Sequence, residues 1–255
     1  MDKISIMDVR IDNKTMDEVL NIVEDKLSKN EQYIIFTPNT EIIMMCQDDE
    51  EFLNYINSSD VNIPDGIGLL HASKIRKLPL KEKVAGYDLS MNLLEMANKK
   101  KLKLYVLGGK PGVADTAMKN VSKKYPNINI SGCHHGYFKG AHLGQGGSAE
   151  ELKIIEEINK QEPDILFIGF GAKKQEQWIG YNKDKINAKI IIGNGGTLDG
   201  LAGNVKRAPE IFINLGLEWL YRLLKEPKRI SRQIVLPIFM IKILFGNKNI
   251  VKEIK

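Results

Sequence analysis

The chain has 255 residues, 43% of them hydrophobic and 27% charged. That is room for one large α/β domain or a domain with an appendage, and it excludes a disordered or collagen-like chain. Two cysteines, Cys46 and Cys133, exclude a disulfide framework and a cysteine-based zinc site and fit a reducing cytoplasm. The net charge of +5 is uneven: residues 206–255 hold 11 basic and 4 acidic side chains, a net of +7, which leaves −2 for the remainder. A basic terminal segment on a near-neutral body predicts contact with an anion, whether phosphate, nucleic acid or a lipid surface.

The N-terminus, MDKISIMDVRID, carries charge from its second residue and has no apolar core of the secretory type. Short apolar runs follow along the chain: 4–11, YIIF at 33–36, VNI at 61–63, KLYVL at 103–107, NINI at 127–130, DILFI at 164–168 and AKIII at 188–192. Several are β-branched and nearly continuous, the pattern of strands buried on both faces. Between them, 16–29, 41–57, 89–100, 114–124 and 150–161 have helical periodicity. The alternation predicts an α/β fold: an open, mostly parallel, Rossmann-like sheet with helices on both faces, over a catalytic domain 1–204. The Gly-rich stretch 136–148 has no period and reads as a mobile surface loop. Cys133, His134, His135 and His142 crowd near it, but such a loop is a poor holder for a metal.

The residues after the strands carry the functional signal. Thr37-Pro38-Asn39 follows the 33–36 run, and Pro64-Asp65-Gly66-Ile67-Gly68 follows 61–63. Gly108-Gly109-Lys110-Pro111-Gly112 follows 103–107, Gly169-Phe170-Gly171 follows 164–168, and Gly193-Asn194-Gly195-Gly196-Thr197 follows 188–192. In open α/β sheets ligands sit beyond the carboxyl ends of the strands, where glycine admits a close backbone and helix N-termini offer N–H groups to anions. Together these ends predict a phosphate or nucleotide ligand. Neither G-x-G-x-x-G nor the P-loop pattern is present, which disfavours a dinucleotide site and a P-loop ATPase. Asp65 is the leading candidate for chemistry. A carboxylate beside helix N-terminal N–H groups is expected to stay ionised and to take a proton, although a cap on a helix over 66–74 explains the residue equally well. No D-x-D triplet is present to hold a metal on a diphosphate, so its charge would fall on N–H groups and on Arg or Lys.

Residues 205–255 read as a basic amphipathic helical appendage. One helix pattern covers 215–224 and stops near Pro227; a second starts near 228 and should kink at Pro237. Arg222, Lys225, Arg229 and Arg232 would form one stripe if the two helices run on in the same direction. The block 234–245 is too short to span a bilayer but suits an interface. The alternative is a helix packed on the core or on a second subunit.

The motifs TPNTEII (37–43), PDGIGLL (64–70), KVAGYDL (83–89), LGGKPGVA (107–114), GFGAKKQEQW (169–178), GGTLDGLAG (195–203), RAPE (207–210) and GLEWLYRLLKEPKRISRQ (216–233) together resemble the WecG/TagA/CpsF family of glycosyltransferases. The resemblance implies an inverting enzyme that transfers N-acetylmannosamine from its UDP derivative to N-acetylglucosaminyl-diphospho-undecaprenol, a step toward wall teichoic acid, with no metal or other cofactor. It implies Asp65 as the base, with Thr37, Asn39 and Gln175 as polar neighbours. Asp199, Gly108, Gly109, Gly195 and Gly196 fall to the nucleotide. Arg222, Arg229 and Arg232 fall to the lipid diphosphate. The tail's net +7, its Arg stripe and the block 234–245 predict a cytoplasmic protein held peripherally on an anionic membrane, with self-association or disorder of the tail when membrane is absent. Departures are Lys83 where many members have Arg, Lys173 where Pro is common, Asn194 in place of a small apolar residue, and the loop 140–147. Two other readings stand beside this one: the same fold acting on the mannosaminuronate donor, and a nucleotide- or nucleic-acid-binding regulator. The tail's block of Ile, Leu, Met and Phe, without aromatics interleaved among basic residues, speaks against nucleic acid.

Overall fold

The computed structural model describes residues 1–254 except 226, 228 and 229, and only the backbone of residues 214, 231 and 232. Arg229 and the Arg232 side chain therefore lie outside the described residues.

The first apolar run is a hairpin rather than one strand: β1 (Lys3–Ile6) and β2 (Val9–Asp12) pair antiparallel, with Ile6 opposite Val9. Met7 and Asp8 make the two-residue turn with φ of 50° and 67°. Left-handed backbone at both positions suits the strand twist but normally calls for Gly or Asn, so the sequence carries no turn signal here. α1 (Met16–Lys29) coincides with its predicted span because both ends are written in sequence: Thr15 and Glu18 form a capping box, and Asn30 closes the helix at φ 55°. β3 (Tyr33–Phe36) follows. The predicted helix 41–57 is broken into α2 (Thr40–Cys46) and α3 (Glu50–Asn57), since Asp49 accepts from the Phe52 N–H at 2.9 Å and starts a new helix.

The chain continues through β4 (Val61–Asn62), α4 (Ile67–Ile75), α5 (Gly86–Lys100), β5 (Lys103–Gly108), α6 (Val113–Lys124), β6 (Asn129–His134), α7 (Ala149–Gln161), β7 (Ile165–Gly169), α8 (Lys174–Asn182), β8 (Ile190–Gly193) and α9 (Gly195–Leu201). Strands β3 to β8 form one parallel sheet in the order β4-β3-β8-β7-β5-β6. The central strands β3, β8, β7 and β5 are apolar nearly throughout because alternate residues feed two cores, while the edge strand β6, NISGCH, is polar and half-exposed. Ile34, Leu107, Leu166 and Ile191 face one, and Ile35, Val106, Phe167 and Ile192 face the other. From β5 the chain moves outward to β6, whereas from β7 it moves the opposite way to β8. The loops after β5 and β7 therefore diverge and open a crevice at the carboxyl end of the sheet.

The loop 136–148 is not loose. Buried Glu151 accepts from the N–H groups of Ala141 and Gly147 and from Asn182 Nδ2, and His142 stacks on Phe170 with ring centroids 4.5 Å apart. Three backbone and side-chain ties to the loop replace the periodicity whose absence suggested mobility.

The last fifty residues form α10 (Glu210–Asn214), α11 (Glu218–Lys225), α12 (Ile230–Gln233), α13 (Val235–Phe245) and β9 (Val251–Glu253). Pro237 does not kink a long helix. The helix stops at Gln233 and restarts, leaving Pro237 in the first turn of α13, where a missing N–H costs nothing. Phe239 and Ile243 on α13 are fully buried against α2 and α4. Arg76 donates to the carbonyls of Ile243 and Gly246 at 2.7 and 2.8 Å, satisfying the end of the helix. β9 then pairs with β1, completing a small sheet of order β2-β1-β9. The opposite side of α13 stays exposed: Ile234, Ile238, Ile241 and Phe245, with Phe245 84% accessible. Among the described residues no helix is long and apolar enough to cross a membrane.

Candidate active site

A cleft of about 1710 Å³ lies across the carboxyl ends of the parallel strands. It exceeds the roughly 300–1,000 Å³ of a pocket for one small ligand, so it has room for two substrates. The loop after β3 contributes Thr37 and Asn39, that after β4 Asp65, that after β5 Gly109 and Lys110, that after β7 Gly169 to Ala172 and Lys174, and that after β8 Asn194 to Gly196. Gln175, Asp199 and Arg222 also line it. Gly108 does not. It sits at φ 149°, where a Cβ would come within 2.4 Å of the Gly169 carbonyl oxygen, so this glycine lets β5 and β7 close up beneath the cleft instead of meeting a ligand.

Asp65 is held from two sides. Its N–H donates to the Pro38 carbonyl at 3.0 Å, and its Oδ2 accepts from the Gly86 N–H, the first residue of α5, at 3.3 Å. It does not cap α4, whose preceding residue is Gly66, at φ 106° and without a side-chain cap. Burial pushes the Asp65 carboxyl up to about 6; the Gly86 N–H opposes that, Glu218 adds to it, and Arg222 and Lys83 oppose it. The sequence reading weighed only the N–H groups, and burial outweighs them. A carboxyl near 6 is a better proton acceptor than an ordinary aspartate and is still mostly ionised at neutral pH.

Around Asp65 the chain crowds polar groups. Thr37 Oγ1 packs against Gly86, where an added Cβ would lie 3.0 Å from it. Asn39 Oδ1 caps α2 by accepting from the Ile42 N–H at 3.0 Å. Arg222 lies over Gly196 at the start of α9, pairs with Glu218 at 2.7 Å and lines the cleft. Asp199 anchors the turn after α9 through its carbonyl, which accepts from the Asn204 N–H at 2.9 Å. Asn194, one of the departures, is buried, and its Oδ1 accepts from Ser90 Oγ at 2.7 Å. Lys173, another, has φ 71°, a conformation closed to the proline common at this position, and is braced by Asp49 at 2.8 Å.

Sequence reasoning missed Glu218 and Arg207. Arg207 pairs with Asp88 at 2.6 Å, stacks 4.8 Å over the Tyr87 ring and lines the cleft; the RAPE motif was its only signal. Cys133 lies 3.7 Å from Asp115 Oδ1, and among the described residues no group of three His, Cys, Asp or Glu side chains could hold a metal ion.

A parallel sheet with one large cleft at its strand ends, a carboxyl tuned by burial and cations at the rim defines an α/β transferase. The sequence model of the glycosyl transferase WecG/TagA/CpsF family matches residues 4–252, and the chain belongs to that family. A protein of Staphylococcus aureus strain MRSA252 is 34% identical over 98% of this chain and 95% of its own length. It bears the name N-acetylglucosaminyldiphosphoundecaprenol N-acetyl-beta-D-mannosaminyltransferase. Proteins of the same name from strains MW2 and COL are 33% identical over the same shares.

Proposed function

We propose that this enzyme transfers N-acetylmannosamine from UDP-N-acetylmannosamine to N-acetylglucosaminyl-diphospho-undecaprenol in wall teichoic acid synthesis. The observation that carries the reading is the partly buried Asp65 carboxyl in a two-substrate cleft lined by glycine-rich strand ends, with Arg222 and Lys83 near enough to act on its charge. The acceptor 4-hydroxyl attacks the anomeric carbon as the bond from that carbon to the phosphate oxygen breaks. Asp65 takes the hydroxyl proton, and UDP leaves with the bonding electron pair. One carboxylate suffices for inversion. The leaving diphosphate meets backbone N–H groups at Gly109, Gly195 and Gly196 and the Arg222 guanidinium. Thr37, Asn39 and Gln175 line the sugar end, and Asp199 takes the nucleotide.

The basic segment and the exposed face of α13 rest on the inner membrane surface, where the lipid-linked acceptor is found. Several Lys and Arg give salt-sensitive binding of about 1 kcal/mol each, and the apolar face adds a part that salt does not remove. The mannosaminuronate donor is not favoured, because the relatives above carry the neutral sugar in their name.

The test is a donor screen with a synthetic diphospholipid acceptor, with and without excess chelator. Disaccharide formed from UDP-N-acetylmannosamine in both arms is the expected result. Transfer from another donor alone, or a strict requirement for a divalent cation, contradicts the reading.

A further inference from the structure

Gln175 lines the cleft, but the residue beside it has no part in the transfer as described. Glu176 is 1% exposed, in the first turn of α8 behind the cleft floor. Burying a carboxyl is unfavourable unless it is well bonded. Its Oε1 accepts from Gln175 Nε2 at 2.8 Å. That bond uses the donor end of the Gln175 amide and turns the acceptor end the other way. Gln175 Oε1 is buried and has no hydrogen-bond partner. Burial pushes the Glu176 carboxyl up to about 7; in its ionised form a flipped amide would set oxygen against carboxylate oxygen, so the ionised group selects the orientation present.

Both ends of the amide press on glycine. A Cβ at Gly193 would lie 2.9 Å from Nε2, and one at Gly195 would lie 2.9 Å from Oε1 and 2.9 Å from Gly171 Cα. The amide, carried at the start of α8 directly after the β7 loop (residues 169–173), therefore packs on both glycines of the β8 loop (residues 193–196), which itself lies against Gly171. Gln175 Oε1 and Glu176 Oε2 are both buried in this floor without a hydrogen-bond donor, a cost that the fold bears here.

We infer that Glu176 is a positioning residue: through the Gln175 amide it holds the loops after β7 and β8 at the spacing that receives the diphosphate of the sugar nucleotide. The inference rests on the sugar-nucleotide reading above. It predicts that Glu176 acts on the diphosphate and not on the nucleoside, and that it acts only through Gln175.

The experiment is calorimetric titration of the full chain with UDP and with uridine. Glu176→Met is expected to weaken UDP about tenfold, the effect of one lost hydrogen bond and a released amide, and to leave uridine within about twofold. In a Gln175→Ala background the same change is expected to cost almost nothing more, since the partner is already gone. Glu176→Gln, whose amide oxygen can accept the same bond, is expected to stay within about twofold of the parent. Glu176→Ala, which removes the same bond with less bulk, is expected to repeat the selective loss of UDP, and it carries the test if Glu176→Met does not fold. Equal losses of UDP and uridine, additive losses in the double variant, no loss in Glu176→Met, or a loss in Glu176→Gln as deep as in Glu176→Met would each overturn the inference and leave the sugar-nucleotide reading standing. A parent protein that binds neither UDP nor uridine removes both.

Discussion

Replacing Asp65 by Asn separates a catalytic carboxyl from a structural one, because the two roles predict opposite signs. The folded protein raises this carboxyl from 3.8 to about 6, chiefly by burial. A carboxyl whose folded pKa is raised binds its proton more tightly in the folded state. Stability is therefore lost as pH climbs from 3.8 to about 6 and stays lost above that. The difference corresponds to about 3 kcal/mol, which partial exposure to solvent reduces to about 2. Asn cannot ionise and keeps an oxygen for the Gly86 N–H. At pH 8 the variant is expected to be more stable by about 2 kcal/mol, a Tm rise of about 5 °C for a chain of this size, and at pH 4 the gain should vanish. Its turnover should fall by roughly 10²-fold or more, with UDP affinity kept, because only proton removal is lost. In the parent enzyme kcat/KM should fall as pH drops through about 6, the value burial sets for Asp65. The assays are thermal denaturation across pH and disaccharide formation. A variant that melts earlier at pH 8 and turns over normally would refute the base assignment and make Asp65 a helix anchor.

Gly108→Ala should destabilise by about 3 kcal/mol or more in urea titration, since its Cβ meets the Gly169 carbonyl at φ 149°, whereas Gly112→Ala, at φ 84° with nothing within 4 Å, should cost about 1 kcal/mol of backbone strain alone. Deleting 205–255 should give no stable body by near-UV dichroism, because it removes Phe239 and Ile243 from the core and β9 from the edge of β1, and a buried Phe alone carries about 3–5 kcal/mol. Changing Ile238, Ile241 and Phe245 together to Ser should instead leave the melting profile intact and abolish the salt-resistant part of sedimentation with anionic vesicles; retained sedimentation at high salt would show that this face does not meet lipid.

How much of this was legible in the sequence depended on whether a feature is local. α1 was readable to the residue because Thr15, Glu18 and Asn30 write both of its ends. The parallel sheet was readable because strands buried on two faces must be apolar at every position. The Met7-Asp8 turn was not, since it takes left-handed backbone without the residues that advertise it. Nor was the Asp49 break, as an Asp inside a polar helix face looks like any other surface charge. The strand-end glycines were visible as a set, but their duties differ. Gly109, Gly195 and Gly196 face the cleft, while Gly108 makes room for Gly169, and only the neighbouring strand distinguishes the two cases.

The C-terminal segment shows why such a reading stops short. Its charge and apolar block pointed outward, to an anionic surface, and the exposed row Ile234, Ile238, Ile241 and Phe245 is consistent with that. Yet the same helix buries Phe239 and Ile243 on its other side, and Arg76, far away in sequence, closes its end. A helix that is apolar all round must satisfy two environments, and periodicity within one segment cannot say which side meets protein. The consequence is mechanical. With Arg207 paired to Asp88 before it and α13 fixed on α2 and α4 after it, the segment that carries Arg222 is tethered on both sides, and Arg222 reaches the cleft from it. A basic segment anchored in this way can present a cation to an anion in the cleft without the entropy cost of ordering a free tail, which is the advantage that a loosely attached appendage would lack.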